Sequence, residues 1–207
     1  MDWTGQIWAT LQNMHWAEMA AVGCGVAYVI LAAREHILCW LFGIANGILS
    51  VYVFLRAGLL AEAGLYAFYI LAGIYGWYTW LHGPERDQSG GDSLRVAEWG
   101  WLRHVAWILA GVALSLGLAY VLQSYTPAEM PLIDAHTTVF SFLATYMVTR
   151  KILSNWLYWI AIDGVSVWLY ATRDLYLYSL LMLAYTGIAI WGYFSWRRQA
   201  YTISTVS

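Results

Sequence analysis

The sequence predicts an all-α membrane protein of seven transmembrane helices, arranged as two parallel three-helix repeats joined by one inversion helix, 3+1+3. Three observations carry this. First, 61% of the 207 residues are apolar and 11% are charged, against about 25% charged in a soluble domain. Second, seven stretches are long and apolar enough to span a bilayer, which takes about 20 residues each. Third, the chain repeats itself at a shift of 116 residues. The composition excludes an ordinary soluble enzyme and a disordered chain, and a net charge of −2 leaves no basic footprint for nucleic acid. The 14 Trp and 16 Tyr suit membrane interfaces and ligand pathways, where a flat ring with a polar edge serves.

Residues 1–15, with Trp3 and Trp8 leading to Trp16, read as an interfacial segment. No positive stretch precedes the first apolar run, so a signal peptide is not expected. The predicted spans are 16–33, 37–55, 60–81, 104–122, 132–149, 153–171 and 176–196. Thr137, Thr138, Ser141 and Thr145 make the fifth the least apolar of them. The segment 83–131 contains a polar loop, the linker helix 104–122 and a short outer loop; 199–207 is read as a cytoplasmic tail. The polar loop opens Gly83-Pro84 and, over 83–103, holds seven of the 22 charged residues. Cys24 and Cys39 form no CxxC pair and read as small core residues.

With seven spans, Arg34, Arg86, Arg95, Arg103, Arg150, Lys151, Arg197 and Arg198 share one side, and only Arg56 and Arg173 fall on the other. That bias predicts an outside N-terminus and a cytoplasmic C-terminus.

The repeat aligns Arg34 with Arg150, Trp40 with Trp156, Ser50 with Ser166, Tyr69 with Tyr185, Gly76 with Gly192 and Trp80 with Trp196, without a gap. The units are 16–82 and 132–198. An odd number of helices between them keeps both in the same orientation, which is a transporter design with its site between the halves.

Polar residues near mid-membrane locate that site. Asn46 and Asp163 lie near the centres of the second and sixth spans. A buried acid there costs at least about 2.5–3.5 kcal/mol, so function is the default reading. Asn155, Trp159, Asp163 and Ser166 share one helix face, and Gly43, Gly47 and Ser50 share another with Asn46 at its edge. The third span adds Tyr66 and Tyr69, the latter with its repeat mate Tyr185. Glu62 near the outer end is a weaker candidate, equally readable as a solvated charge. Trp40 and Trp156 are expected as interfacial anchors, and as weaker site candidates. Helix packing is the bland alternative for Asn46 and for Gly43 with Gly47. The five histidines sit near span ends without ligand spacing, so no metal or cofactor is expected; no catalytic motif is present, so no enzyme is expected.

The run Asn155-Trp156-Leu157-Tyr158-Trp159-Ile160-Ala161-Ile162-Asp163, with Cys39-Trp40-Leu41-Phe42-Gly43, Tyr75-Gly76-Trp77-Tyr78-Thr79-Trp80 and Gly192-Tyr193-Phe194-Ser195-Trp196, resembles the PnuC family of bacterial vitamin transporters. The resemblance covers 16–198 and implies a SWEET-like fold in the bacterial inner membrane. It implies facilitated diffusion of a vitamin precursor, chiefly nicotinamide riboside, which cytoplasmic phosphorylation traps. Thiamine is the rival substrate and riboflavin a more distant one. Both nicotinamide riboside and thiamine carry a cationic aromatic ring, which Trp and Tyr faces attract by about 2 kcal/mol when desolvated. Asp163 would balance the charge, while Asn46, Asn155 and Ser166 would bind hydroxyls. The expected partners are that vitamin, the lipid bilayer and, functionally, a cytoplasmic kinase; a homo-oligomer is compatible with the sequence. A receptor without flux, a SWEET-like sugar carrier and an intramembrane enzyme using Asp163 are the readings from other classes.

Overall fold

Turns between antiparallel helices organise the chain. The protein, as a computed structural model, is described over residues 3–82, 95–126 and 130–204. The polar stretch 83–94 and the end of the expected tail, 205–207, lie outside the described residues. Eight helices are described: α1 (Trp3–Asn13), α2 (Trp16–Ala33), α3 (Cys39–Arg56), α4 (Leu60–His82), α5 (Trp101–Tyr125), α6 (Pro131–Thr149), α7 (Asn155–Thr172) and α8 (Tyr176–Ser204).

The predicted spans coincide with α2 to α8 to within a few residues at most ends. The largest departure is α8, expected to stop at 196. Its apolar stretch does end there, but Arg197, Arg198, Gln199 and Ala200 are good helix formers and carry the helix on. Among the described residues, four helical stretches are long and apolar enough to cross a membrane: Trp16–Ala33, Cys39–Arg56, Trp101–Tyr125 and Tyr176–Ala200. The helices α4, α6 and α7 carry Tyr, Thr, Ser and Trp toward the interior, which lowers their mean hydropathy. α1 buries no residue, and Trp3 and Trp8 are exposed.

The 116-residue shift recurs in the hydrogen bonds that end the helices. α2 closes with the His36 amide donating to the Leu31 carbonyl (2.9 Å), and α6 closes with Ile152 donating to Met147 (3.0 Å). This is a six-residue closing bond around a left-handed residue: Glu35 at φ 55° in one case, Lys151 at φ 49° in the other. At the opposite end Leu59 donates to Phe54 around Gly58 (φ 74°), and Leu175 donates to Tyr170 around Asp174 (φ 57°). Three of these four residues carry a side chain in a backbone region that costs roughly 1–2 kcal/mol for L-residues. The paired positions Glu35 and Lys151 offset this by meeting each other: Nζ lies 2.9 Å from Oε2, with both side chains nearly removed from solvent.

Within each unit consecutive helices pack as hairpins, and between units α2 meets α8 while α4 meets α6. α5 packs along α6. It starts at the Lys151 end, where the Ala97 amide donates to the Lys151 carbonyl (3.0 Å) and the Leu153 amide to the Ala97 carbonyl (2.8 Å).

The tightest core also lies at that end. Trp40 meets Trp80 edge-on at 5.3 Å and Trp156 meets Trp196 edge-on at 5.3 Å, with Trp80 and Trp196 6.1 Å apart across the two units. The Trp80 indole donates to the Val148 carbonyl and the Trp196 indole to the Ala32 carbonyl, again 116 residues apart. Trp40 and Trp156 are therefore not interfacial anchors as their positions near span ends suggested: they are 1% and 2% exposed. Glycine makes room for them. A Cβ on Gly76 would run into the Trp40 ring, and one on Gly192 would lie 2.8 Å from that of Trp156.

Candidate functional site

A cavity of about 710 Å³ lies between the two units. At one end its lining includes Met14, Glu18 and the exposed Ala57 and Leu59; at the other it stops on buried Ala32, Trp40, Val148, Trp156 and Ala189. Beneath this floor lie Trp80, Trp196 and the Glu35–Lys151 pair, with the Lys151 ammonium 4.6 Å from the centre of the Trp80 ring. Glu35 and Lys151 join α2 to α6, so the floor is fastened between the units.

α7 brings Trp159, Asp163 and Ser166 to the cavity, as one helix face should. Asp163 is 6% exposed. Among the described residues, no Lys, Arg or His lines the cavity. The carboxylate thus faces an aromatic chamber with no cation of the protein's own. Ser166 turns its hydroxyl back to the Ile162 carbonyl (2.9 Å), satisfying its proton while leaving oxygen lone pairs available.

α3 contributes Asn46 and Ser50. The Asn46 amide nitrogen donates to the Ala21 carbonyl on α2 (2.7 Å), which fixes the side chain across the helix pair. The tyrosines arrive from the third helix of each unit, each reaching the first helix of the other. Tyr69 on α4 faces Ser141 on α6. Tyr185 on α8 lies over Gly25 on α2, where a Cβ would stand 2.7 Å from its hydroxyl and 3.2 Å from the Asn46 nitrogen. Gly25 and Ser141 are repeat equivalents: the first unit supplies space and the second a hydroxyl. Tyr66 faces Ser50 and sets its ring edge-on to Tyr69 at 5.7 Å.

The structure therefore brings together Asn46, Ser50, Tyr66, Tyr69, Trp159, Asp163, Ser166 and Tyr185, with Trp40 and Trp156 in the floor. Two candidates fall outside. Asn155 is fully buried at the start of α7, and its amide donates to the Ile152 carbonyl (2.7 Å), so it serves the helix end. Glu62 is exposed in the first turn of α4, where a negative charge suits the helix dipole.

Sequence reasoning missed Glu18, Gly25, Tyr28, Tyr170 and Tyr178, all of which line the cavity. It also missed a hydroxyl face on α6, Thr138, Ser141 and Thr145. The signal for that face was present: these residues, at spacings of three and four, are the ones that make the fifth span less apolar. Gly43 lines the cavity, and a Cβ on it would stand 3.0 Å from the Tyr28 ring, whereas Gly47 is a close helix contact, its Cβ position 2.6 Å from Ile70.

Apolar helices closing around a polar, aromatic chamber, open toward one end and sealed at the other, define a membrane transporter rather than an enzyme. The family model described as the nicotinamide mononucleotide transporter matches residues 15–198, and the chain belongs to that family. It is 28% identical over 215 aligned positions to the nicotinamide riboside transporter PnuC of Escherichia coli (strain K12), covering 91% of this chain and 87% of the relative. It is 25% identical to the riboflavin/roseoflavin transporter RibM of Streptomyces davaonensis, covering 95% and 92%. A crystal structure of the vitamin B3 transporter PnuC has a similar fold: TM-score 0.73 at 19% identity, over 97% of this chain and 88% of that one.

Proposed function

We propose that the chain carries nicotinamide riboside by facilitated diffusion, binding it in the central cavity. The observation that carries this reading is the uncompensated Asp163 carboxylate in an aromatic chamber without a basic residue. A pyridinium riboside supplies the missing positive charge, presents a flat ring to Trp159 and the tyrosines, and offers hydroxyls to Asn46, Ser50 and the α6 hydroxyl face. Among the described residues the same chamber has no basic group to neutralise a phosphate, which favours the riboside over its mononucleotide.

The finer architecture follows. Seven helices, α2 to α8, span the inner membrane as 16–82 and 132–198 with α5 as the inversion helix, and α1 lies in the interface. The bias of basic residues puts the N-terminus outside and the floor at the cytoplasmic side. The cavity is then outward-open, and release inward requires the two units to rock apart at the Trp40, Trp80, Trp156 and Trp196 cluster. Phosphorylation in the cytoplasm traps the substrate, so no ion gradient is needed.

The test is a side-by-side binding and uptake measurement in proteoliposomes with nicotinamide riboside, its mononucleotide, thiamine and riboflavin. The riboside should bind tightest and enter unchanged. Preference for riboflavin, the neutral cargo named for the Streptomyces relative, would overturn the role given to Asp163. Preference for thiamine would keep that role and replace the substrate.

A further inference from the structure

The cavity holds a second group of acid and aromatic side chains, displaced from the first by two helical turns on three helices at once. On α7, Tyr170 stands seven residues beyond Asp163; on α8, Tyr178 stands seven before Tyr185; on α2, Glu18 stands seven before Gly25. Seven residues are close to two turns and about 10 Å of rise, so each residue keeps the face of its deeper counterpart. All three line the cavity at its open end. The Tyr170 and Tyr178 rings lie 5.9 Å apart at 38°, and the Tyr178 hydroxyl feels the Glu18 carboxylate. Arg173, three residues beyond Tyr170, is engaged by Asp134 at 3.8 Å. Tyr66 also lines the cavity and sits edge-on to Tyr69. A chamber of about 710 Å³ stands in the upper half of the roughly 300–1,000 Å³ that enclose drug-sized ligands, room for more than one flat ring.

We propose that Glu18, Tyr170 and Tyr178 form a second, outer binding site for a flat aromatic cation, two turns from the Asp163 site. It rests on the reading of the cargo as such a cation. The two levels differ in a way that fits capture followed by delivery. Asp163 is buried, while Glu18 is half-exposed at the mouth, so the outer site attracts the cation at lower affinity and with stronger dependence on salt. The aromatic pair holds the ring by its face without using the ribose, so the outer site discriminates charge and flatness and the inner one the sugar.

The test is equilibrium titration of the full chain in nanodiscs with nicotinamide riboside and, separately, with 1-methylnicotinamide, which has the ring cation and no ribose. Two classes of site are expected for the riboside. The weaker should be lost in Glu18→Gln and Tyr178→Ala, kept in Tyr178→Phe and kept in Asp163→Asn. In uptake, Glu18→Gln should raise KM about three- to tenfold with an unchanged maximal rate, and the salt dependence of KM should flatten. A single class of site, or a second class untouched by both outer substitutions, overturns the outer site while leaving the transport reading intact. Failure of the wild-type protein to bind either cation overturns both.

Discussion

Asp163 occupies a position whose repeat equivalent is Gly47, a buried contact against Ile70. The two halves therefore share helix-end geometry and differ at the residue to which the proposed function gives the ligand's counter-charge. An acid buried without a partner lowers the stability of the empty protein, so Asp163→Asn should move two measurements in opposite directions. Riboside affinity should fall about thirtyfold, corresponding to about 2 kcal/mol of lost cation attraction. The thermal midpoint of the ligand-free protein should rise, because the desolvation cost of the charge is removed. Loss of both affinity and stability would mean that Asp163 is structural. At the same scale, Gly25→Ala pushes a methyl group toward the Tyr185 hydroxyl and the Asn46 amide, and should weaken riboside binding with little change in fold. The sequence pointed to Asp163 through its cost at mid-membrane. It could not expose Gly25, whose importance lies in the Tyr185 hydroxyl brought over it by a helix 160 residues away in the chain. It also placed Asn155 in the site by helix periodicity, which says which face a residue shares but not how far along that face the cavity extends.

The helix ends show how the elements are fastened. Glu35 and Lys151 close α2 and α6 in left-handed conformations and bind each other across the two units. Removing one partner strands a buried charge, so Lys151→Ala should destabilise by about 3–5 kcal/mol, whereas Glu35→Met with Lys151→Met should come close to wild type. Thermal unfolding in detergent separates these outcomes; equal losses in the single and double variants would deny the pair its role. Gly76→Ala and Gly192→Ala should each lower the same midpoint, since a Cβ would drive into the Trp40 or Trp156 ring. Most helix limits were legible to within about three residues, because apolar length and polar turns mark them. Burial of Trp40 and Trp156 was not legible. A tryptophan near a span end reads as an anchor, and only the meeting of four such rings from both units turns the position into a core.

In the whole molecule, one cavity is exposed at the Glu18 end and closed by tryptophans at the Lys151 end. With the proposed outward-facing orientation, labelling by a membrane-impermeant thiol reagent tests this. In a background of Cys24→Ala and Cys39→Ala, a cysteine at Leu59 or Ser141 should label from outside intact cells, and nicotinamide riboside should protect Ser141→Cys. A cysteine at Ile152 should stay unlabelled, being 4% exposed behind the floor. Protection reversed in direction, or labelling of Ser141→Cys only from the cytoplasmic face, would overturn the outward-open reading.

By itself the sequence determined that the protein belongs in a bilayer, where its helices run, that residues recur at a shift of 116, and that Asp163 is the residue whose burial needs a reason. These are local or periodic properties: hydropathy, helical spacing and register shift are written along the chain. The tertiary structure decided which polar faces meet. It set Tyr69 facing Ser141 and Tyr185 over Gly25 across the units, paired Glu35 with Lys151, and gathered Trp40, Trp80, Trp156 and Trp196 into one cluster at the closed end. Such contacts depend on the relative placement of helices far apart in sequence, where a shift of a few ångströms separates a packed ring from an open cavity.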